Sequence, residues 1–386
     1  MADPAAAGGL GPRVRRRGPL AAFFAFGFFW GGWAALVPAI QDAVGASKGE
    51  LGLALLFVAI GSLPSMLVTG RELDRHGARL IPVLLAGLGV AALLPAFADG
   101  IPALAASLFV IGVLGGALDV AINAAVSELE VRRGTRLMQL AHALFSGGLL
   151  AGALASGLAR QLGASRLEVL GGVAIVVFAA AALNLGHERV QRQATAKPSL
   201  RLSRAAIPLG IACAGAFVIE GGMENWGALF LERELDSDPA VSALAPAAYA
   251  GAMMLGRLSG QWLEQLLGDA LLLMGAFGVA LLGLVTVALA QQVPVAVVAF
   301  FVGGAGISIA APALFGAGGR NAAREERGRA VATVTTIGYL GFLVGPPLVG
   351  GAAEAVGLRA AFAALALVAI ALVIATPRLG LSRKSA

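Results

Sequence analysis

Six polar side chains interrupt otherwise apolar runs and are placed to do chemistry: Asp119, Asn123, His142, Glu220, Glu224 and Asn225. Asp119-Val-Ala-Ile-Asn123 puts an acid and an amide four residues apart, on one helical face with Gly112, Gly115 and Gly116. Such a small, polar stripe points into a bundle rather than at lipid. Asp119 sits about eight residues inside its apolar run, roughly 12 Å deep at 1.5 Å per residue. A carboxylate there costs on the order of 2.5–3.5 kcal/mol on insertion scales, a cost relieved when it binds a proton. A protonatable acid beside a cavity is what proton coupling requires; a structural pairing with a helix neighbour is the competing reading. His142, about 8 Å into the next run, carries a side chain that titrates near neutral pH in water. It could relay a proton, bind a solute hydroxyl, or simply satisfy a backbone carbonyl.

A third run reads Glu220-Gly-Gly-Met-Glu224-Asn225-Trp226. Glu220 and Glu224 share a face, and Trp226 could stack on a sugar-like solute or anchor at the outer interface. By count Glu220 stands roughly 22 Å above the end of its run. It is expected to line the outer part of the same cavity, with Asn225, and not to touch His142. Glu224 is expected at the outer interface, without a role.

The elements that must position these residues are set by the solvent. The chain has 386 residues, 58% of them hydrophobic and 13% charged, against about 25% charged in soluble domains, and its mean hydropathy is +0.85. Twelve apolar segments of membrane-spanning length follow one another, at 20–40, 51–69, 80–98, 101–127, 138–159, 167–185, 205–231, 240–262, 270–290, 293–316, 329–352 and 358–377. Little chain is left over, so no large extramembrane domain fits and the function must reside among the helices. The expected fold is an all-α membrane protein: a basic tail at 1–19, a six-helix bundle at 20–185, a central loop at 186–204, a second six-helix bundle at 205–377 and a tail at 378–386.

The net charge of +6 does not mark a nucleic-acid binder, because the bases alternate between loops rather than gathering on one soluble face. With an N-terminus in the cytoplasm, 23 of the 28 Lys and Arg fall in the tails and even-numbered loops; Lys48, Arg160, Arg166, Arg233 and Arg359 fall opposite. The positive-inside rule then puts both termini in the cytoplasm. Arg15-Arg16-Arg17 before Leu20 to Ile40 reads as an uncleaved first helix rather than a signal peptide. Cys213 is the lone cysteine and is expected to be a buried, inert thiol. No phosphate-binding loop, His-Glu-x-x-His or Cys cluster is present, which speaks against ATP-driven transport by this chain, a cofactor or a metal site.

Weak internal repeats divide the chain in two. Leu158-Ala-Arg-Gln-Leu-Gly163 resembles Ala352-Ala-Glu-Ala-Val-Gly357, and the glycine-rich middles around Gly115 and Gly304 match at nearly the same offset. Gly70-Arg71 recurs as Gly256-Arg257. Pro38, Pro64, Pro246, Pro312, Pro346 and Pro347 lie inside spans and are candidate hinges or simple bends.

The loop after the second segment reads Gly70-Arg71-Glu72-Leu73-Asp74-Arg75-His76-Gly77-Ala78-Arg79. A glycine turn, an acid able to cap or pair, and clustered arginines would lock helix ends together on the cytoplasmic face. This resembles the G-x-L-x-D-R-x-G-R signature of the major facilitator superfamily, in register at Gly70, Asp74, Arg75 and Gly77. The second copy keeps only its start, Gly256-Arg257. Within that superfamily, Asp119 to Asn123 resembles the acid-x-x-x-Asn pattern of the fucose-permease-like branch, and His142-Ala-Leu-Phe145-Ser-Gly147 is similar to that branch's fifth helix. The segment from Tyr339 to Gly350 looks close to a set of bacterial inner-membrane members.

The resemblance implies twelve helices in two pseudo-symmetric bundles and transport by alternating access around a midplane site, in a multi-pass protein of the bacterial cytoplasmic membrane. The expected activity is proton-coupled import of a small polar, sugar-like solute by a monomer, with solute, proton and lipid bilayer as partners and no enzyme activity. Asp119 would carry the proton, with Asn123, His142, Glu220 and Asn225 lining the site; Gly70, Asp74, Arg75, Gly77, Arg79 and Arg257 would belong to the gate. The acid that fucose permeases carry in helix one is missing from Gly31 to Pro38, which leaves Glu220 as a candidate for its role. Proton-driven efflux of drugs or metabolites is the alternative. The fifth helix lacks the Gly-Pro of drug antiporters, which tilts the reading toward symport. A membrane-embedded enzyme using His142 and Asp119, or a sensor without flux, are the remaining readings, and the internal repeat argues against the enzyme.

Overall fold

A computed structural model describes residues 17–186, 202–323 and 326–381. The basic residues before Arg17, most of the central loop including Pro198, Arg324 and the last five residues lie outside the described residues. The first six-helix stretch comprises α1 (Arg17–Val44), α2 (Lys48–His76), α3 (Leu80–Ala91), α4 (Ile101–Arg133), α5 (Met138–Gln161) and α6 (Arg166–Leu183). The second comprises α7 (Ile207–Glu234), α8 (Pro239–Ser242), α9 (Leu244–Leu267), α10 (Asp269–Leu289), α11 (Val293–Ile307), α12 (Ala310–Arg320), α13 (Arg327–Val356) and α14 (Leu358–Ala375). No strand occurs among the described residues.

Among these residues eleven segments are long and apolar enough to cross a membrane. One of them, Lys48–Phe97, has 50 residues, about 75 Å of helix against a hydrocarbon core of about 30 Å. It breaks at Gly77, whose φ of 59° is open to glycine at little cost and whose N–H caps α2 by donating to the Leu73 carbonyl. It therefore crosses twice, and the crossings number twelve. The surface is inverted relative to a soluble protein: α2 alone exposes Leu53, Phe57, Ile60, Leu67 and Val68, a belt that only lipid can cover.

Association in lipid rests on close van der Waals packing of small residues, and the glycines show where it occurs. Gly27 of α1 lies against the Phe145 carbonyl and Gly148 of α5 against the Phe24 carbonyl, backbone on backbone, so that a Cβ at either would collide. In the second half Phe230, Phe300 and Phe362 pack edge to face at 5.2–6.2 Å between centroids.

The twofold repeat is visible in the turns. Gly163 after α5 and Gly357 after α13 both have φ of 87°. Gly268, not Gly260, is the structural counterpart of Gly77, because its N–H caps α9 on the Glu264 carbonyl as that of Gly77 caps α2. Across the halves α2 packs on α13, α5 on α9, and α1 on α7. The ends of α4 and α6 and the starts of α1 and α5 share one face, here the terminal face, where the Asn184 amide donates to the Gly18 carbonyl at 2.9 Å.

Candidate functional site

Between the halves lies a cavity of about 550 Å³. Its lining starts at Met138 and Gln139, the first two residues of α5, and at Gly260 and Glu264 near the end of α9. At its other end it reaches Trp30, Leu55, Asn225 and Pro346. Asn225 and Pro346 lie nine or ten residues short of the ends of their helices, so some 15 Å of packed helix close the opposite face. The cavity opens at the terminal face.

The plug on the opposite face is made across the halves. Arg160 at the end of α5 donates to Glu232 of α7 at 2.7 and 3.3 Å and to the Ala35 carbonyl at 2.7 Å, and its side chain is only 10% exposed. Ser242 adds a hydrogen bond to the same carboxylate at 2.7 Å. Glu354 of α13 accepts from the Lys48 N–H at 3.0 Å, placing a negative charge on the N-terminus of α2, where the helix dipole favours it. Arg233 pairs with Asp42, and Gly52 lets α2 approach the Pro346 carbonyl.

Inside the cavity, Asp119 projects from α4 and takes its hydrogen bond from the Asn123 amide, 3.0 Å to Oδ1; the same amide donates to the Asp119 carbonyl at 2.9 Å. Asp119, His142, Glu220 and Asn225 all line the space. Asn123 does not; it orients Asp119 from behind. The Asn225 amide donates to the Gly221 carbonyl at 3.0 Å. His142 packs edge-on against Phe23 at 5.2 Å.

Arg257 departs from its expected place. Expected near the end of its helix and in the gate, it lies inside α9, ten residues before the last one, and lines the cavity. The 240–262 segment ends too early because Glu264 continues the helix while pairing with Arg320 at 2.8 Å. From there Arg257 crosses to α5, donating to the His142 carbonyl at 3.2 Å and to the Ser146 hydroxyl, and pairs with Glu220 at 3.7 Å. Its guanidinium also lies 5.9 Å from the Phe145 ring centroid. Glu220 and His142, expected to stay apart, are thus joined by one arginine.

Glu224 is a second correction: it lines the cavity with Glu220, one helical turn nearer the closed end, rather than sitting at the outer interface. Its spacing of four from Glu220 was the available signal. Trp226 is fully buried and Trp33 1% exposed, so both are packing; Trp30 is the tryptophan on the cavity wall. Cys213 is buried. Tyr249 has a buried hydroxyl turned to Glu220, within electrostatic reach of Glu224 and Arg257.

The segment expected as a loop is mostly helix: Gly70, Asp74 and Arg75 lie on the last turns of α2 and Gly77 and Arg79 in the turn that follows, and all five are outside the cavity wall. Arg75 pairs with Glu72 on its own helix at 2.9 Å, and Asp74 is exposed. Gly77 makes the helix end. The eleventh and twelfth helices are one crossing broken at Ser308, and Ile307, Ser308 and Pro312 at the break face the cavity. Irregular backbone at membrane depth belongs where it lines such a space.

No group of three or more His, Cys, Asp or Glu among the described residues could hold a metal ion. A two-bundle helical shell around a cavity open to one face defines a multi-pass membrane transporter. The family model of the Major Facilitator Superfamily matches residues 20–314 and 215–384, and the chain belongs to that superfamily. Its fold and family are those of secondary transporters, not enzymes. It is 32% identical over 350 residues to an uncharacterized MFS-type transporter of Yersinia pestis, covering 90% of this chain and 91% of that one. It is 29% identical over 357 residues to the membrane protein MosC of Rhizobium meliloti, covering 92% and 86%. Among solved structures, a mutant form of the nucleoside transporter NupG superimposes with a TM-score of 0.76 at 14% identity, covering 94% and 99%. A bacterial homolog to the human lysosomal transporter Spinster, inward-facing and occupied, gives 0.71 at 13%, covering 93% and 96%. At these identities the structures establish the fold alone.

Proposed function

We propose that this chain is a proton-coupled secondary transporter that carries a small polar solute into the cytoplasm through the central cavity. The observation that carries the reading is Asp119: a carboxylate on the wall of a solute-sized space, held by one amide and no cation. Such a group exchanges a proton with whatever water or solute reaches the cavity, and binding the proton removes its desolvation cost. Asn123 positions it, Glu220 with Arg257 forms the polar centre, and Asn225 lines the inner wall.

Orientation follows from charge. The basic residues cluster on the terminal face, which the positive-inside rule assigns to the cytoplasm of the bacterial inner membrane, and the cavity is then open inward. The Arg160, Arg233 and Glu354 contacts close the outer gate, and their exchange for contacts around Gly70 to Arg79 completes the cycle. Symport is favoured by α5, which runs unbroken with no Gly-Pro. Efflux of an amphipathic solute is the second reading, favoured by the aromatic wall of Phe26, Trp30, Phe217 and Phe342.

The test is uptake into proteoliposomes under an imposed proton gradient, with a panel of monosaccharides, polyols, organic acids and amines. Accumulation that a protonophore abolishes supports the reading; uptake indifferent to the gradient, or none with any solute class, overturns it.

A further inference from the structure

The charges facing the cavity do not balance. Asp119, Glu220 and Glu224 face it, with Arg257 as their cation; Glu264 at the mouth is already paired with Arg320. Arg257 is engaged by Glu220, the His142 carbonyl and Ser146. Glu224 stands one turn deeper, towards the closed end, with no hydrogen bond or ion pair to any described residue, Glu220 as a like-charged neighbour and the already engaged Arg257 as a more distant cation. A carboxylate with no ion pair at this depth is costly, and the residues around it supply aromatic surface and the Asn225 amide but no cation of its own.

We infer that the blind end of the cavity is a subsite for a protonated amine, with Glu224 as its counter-ion and Trp30, Phe26 and Phe342 holding the apolar body of the solute. This rests on the reading of the cavity as the solute site, and it names the class of solute. An ammonium donates up to three hydrogen bonds, which a carboxylate and an amide oxygen can accept, and aromatic faces attract it further. Because Glu224 is distinct from Asp119, the cationic solute and the coupling proton occupy separate carboxylates, which is what symport needs.

The experiment is counterflow in proteoliposomes with matched probes: 2-phenylethylamine against 2-phenylethanol, and glucosamine against glucose, for wild type, Glu224→Gln and Glu224→Asp. The inference expects one amine to exchange at least about tenfold better than its neutral isostere, Glu224→Gln to erase that preference, and Glu224→Asp to retain part of it. Equal exchange of amine and isostere, or an amine preference that survives in Glu224→Gln, overturns the subsite while leaving the transport reading intact. Absence of any exchange in wild type, by these probes and by the broader solute panel, overturns both.

Discussion

Arg160 and Glu354 occupy equivalent positions in the two halves, each three residues before a glycine with φ of 87°, and each reaches across to the other half. Arg160 clasps Glu232 and the Ala35 carbonyl, while Glu354 caps the first turn of α2. Equivalent positions of the repeat thus carry a cation in one half and an anion in the other, and both tie the halves together at the closed face.

Breaking either clasp should open that gate. Removing Arg160 from its buried, hydrogen-bonded pair with Glu232 costs about 2–5 kcal/mol, the exposed Glu354 acts on a helix terminus, worth about 0.3–1 kcal/mol, and about 1.4 kcal/mol already shifts a two-state population tenfold. With Cys213 replaced by Ser and a reporter Phe342→Cys in the cavity, an impermeant maleimide added from outside should label Arg160→Ala at least about tenfold faster than the parent, and Glu354→Ala faster by a smaller factor. Unchanged labelling in both would show that the clasps do not set the equilibrium.

The Arg257 and Glu220 pair should behave as a unit. Arg257→Ala strands Glu220 beside Glu224 in a low-dielectric space, whereas Arg257→Ala with Glu220→Gln removes both charges. A double-mutant cycle on thermal stability in detergent should give a coupling of about 1–3 kcal/mol, with the double variant more stable than Arg257→Ala alone. Strict additivity would mean that the 3.7 Å contact carries no energy.

Backbone contact between α1 and α5 sets a steric prediction. Gly148 faces the Phe24 carbonyl and the Phe28 N–H, whereas Gly171 has open space around its Cβ position. Gly148→Ala should lower the melting temperature and the yield of folded protein. Gly171→Ala should leave both unchanged or raise them, since alanine is the better helix former. Equal effects at the two sites would sink the packing argument.

The fold was legible in the sequence because the bilayer imposes a length: an apolar run either spans about 30 Å or does not, and the loops between runs carry the charge. The end of α2 was not: the apolar run stops at 69, but the charged residues from Gly70 to His76 continue the helix to Gly77, where a residue free of Cβ ends it. Arg257 and Glu224 were not. In uniformly apolar helices the period of 3.6 barely fixes rotation, so in the run from Glu220 to Trp226 only the spacing of four between the two acids hinted that Glu224 shares the cavity side. The helices also run past their apolar windows: α9 continues to Leu267, which converts Arg257 from a residue near a helix end into one deep inside. Asp119 and Asn123 stood out because an acid and an amide on a glycine face have few places to go in lipid.

The most direct test of proton coupling is solute-induced proton movement in inside-out vesicles or proteoliposomes, comparing wild type with Asp119→Asn. The account predicts that a transported solute moves protons in wild type, and that Asp119→Asn abolishes this movement while solute counterflow persists. Proton movement undiminished in Asp119→Asn, or solute flux with no proton movement in wild type, would contradict it.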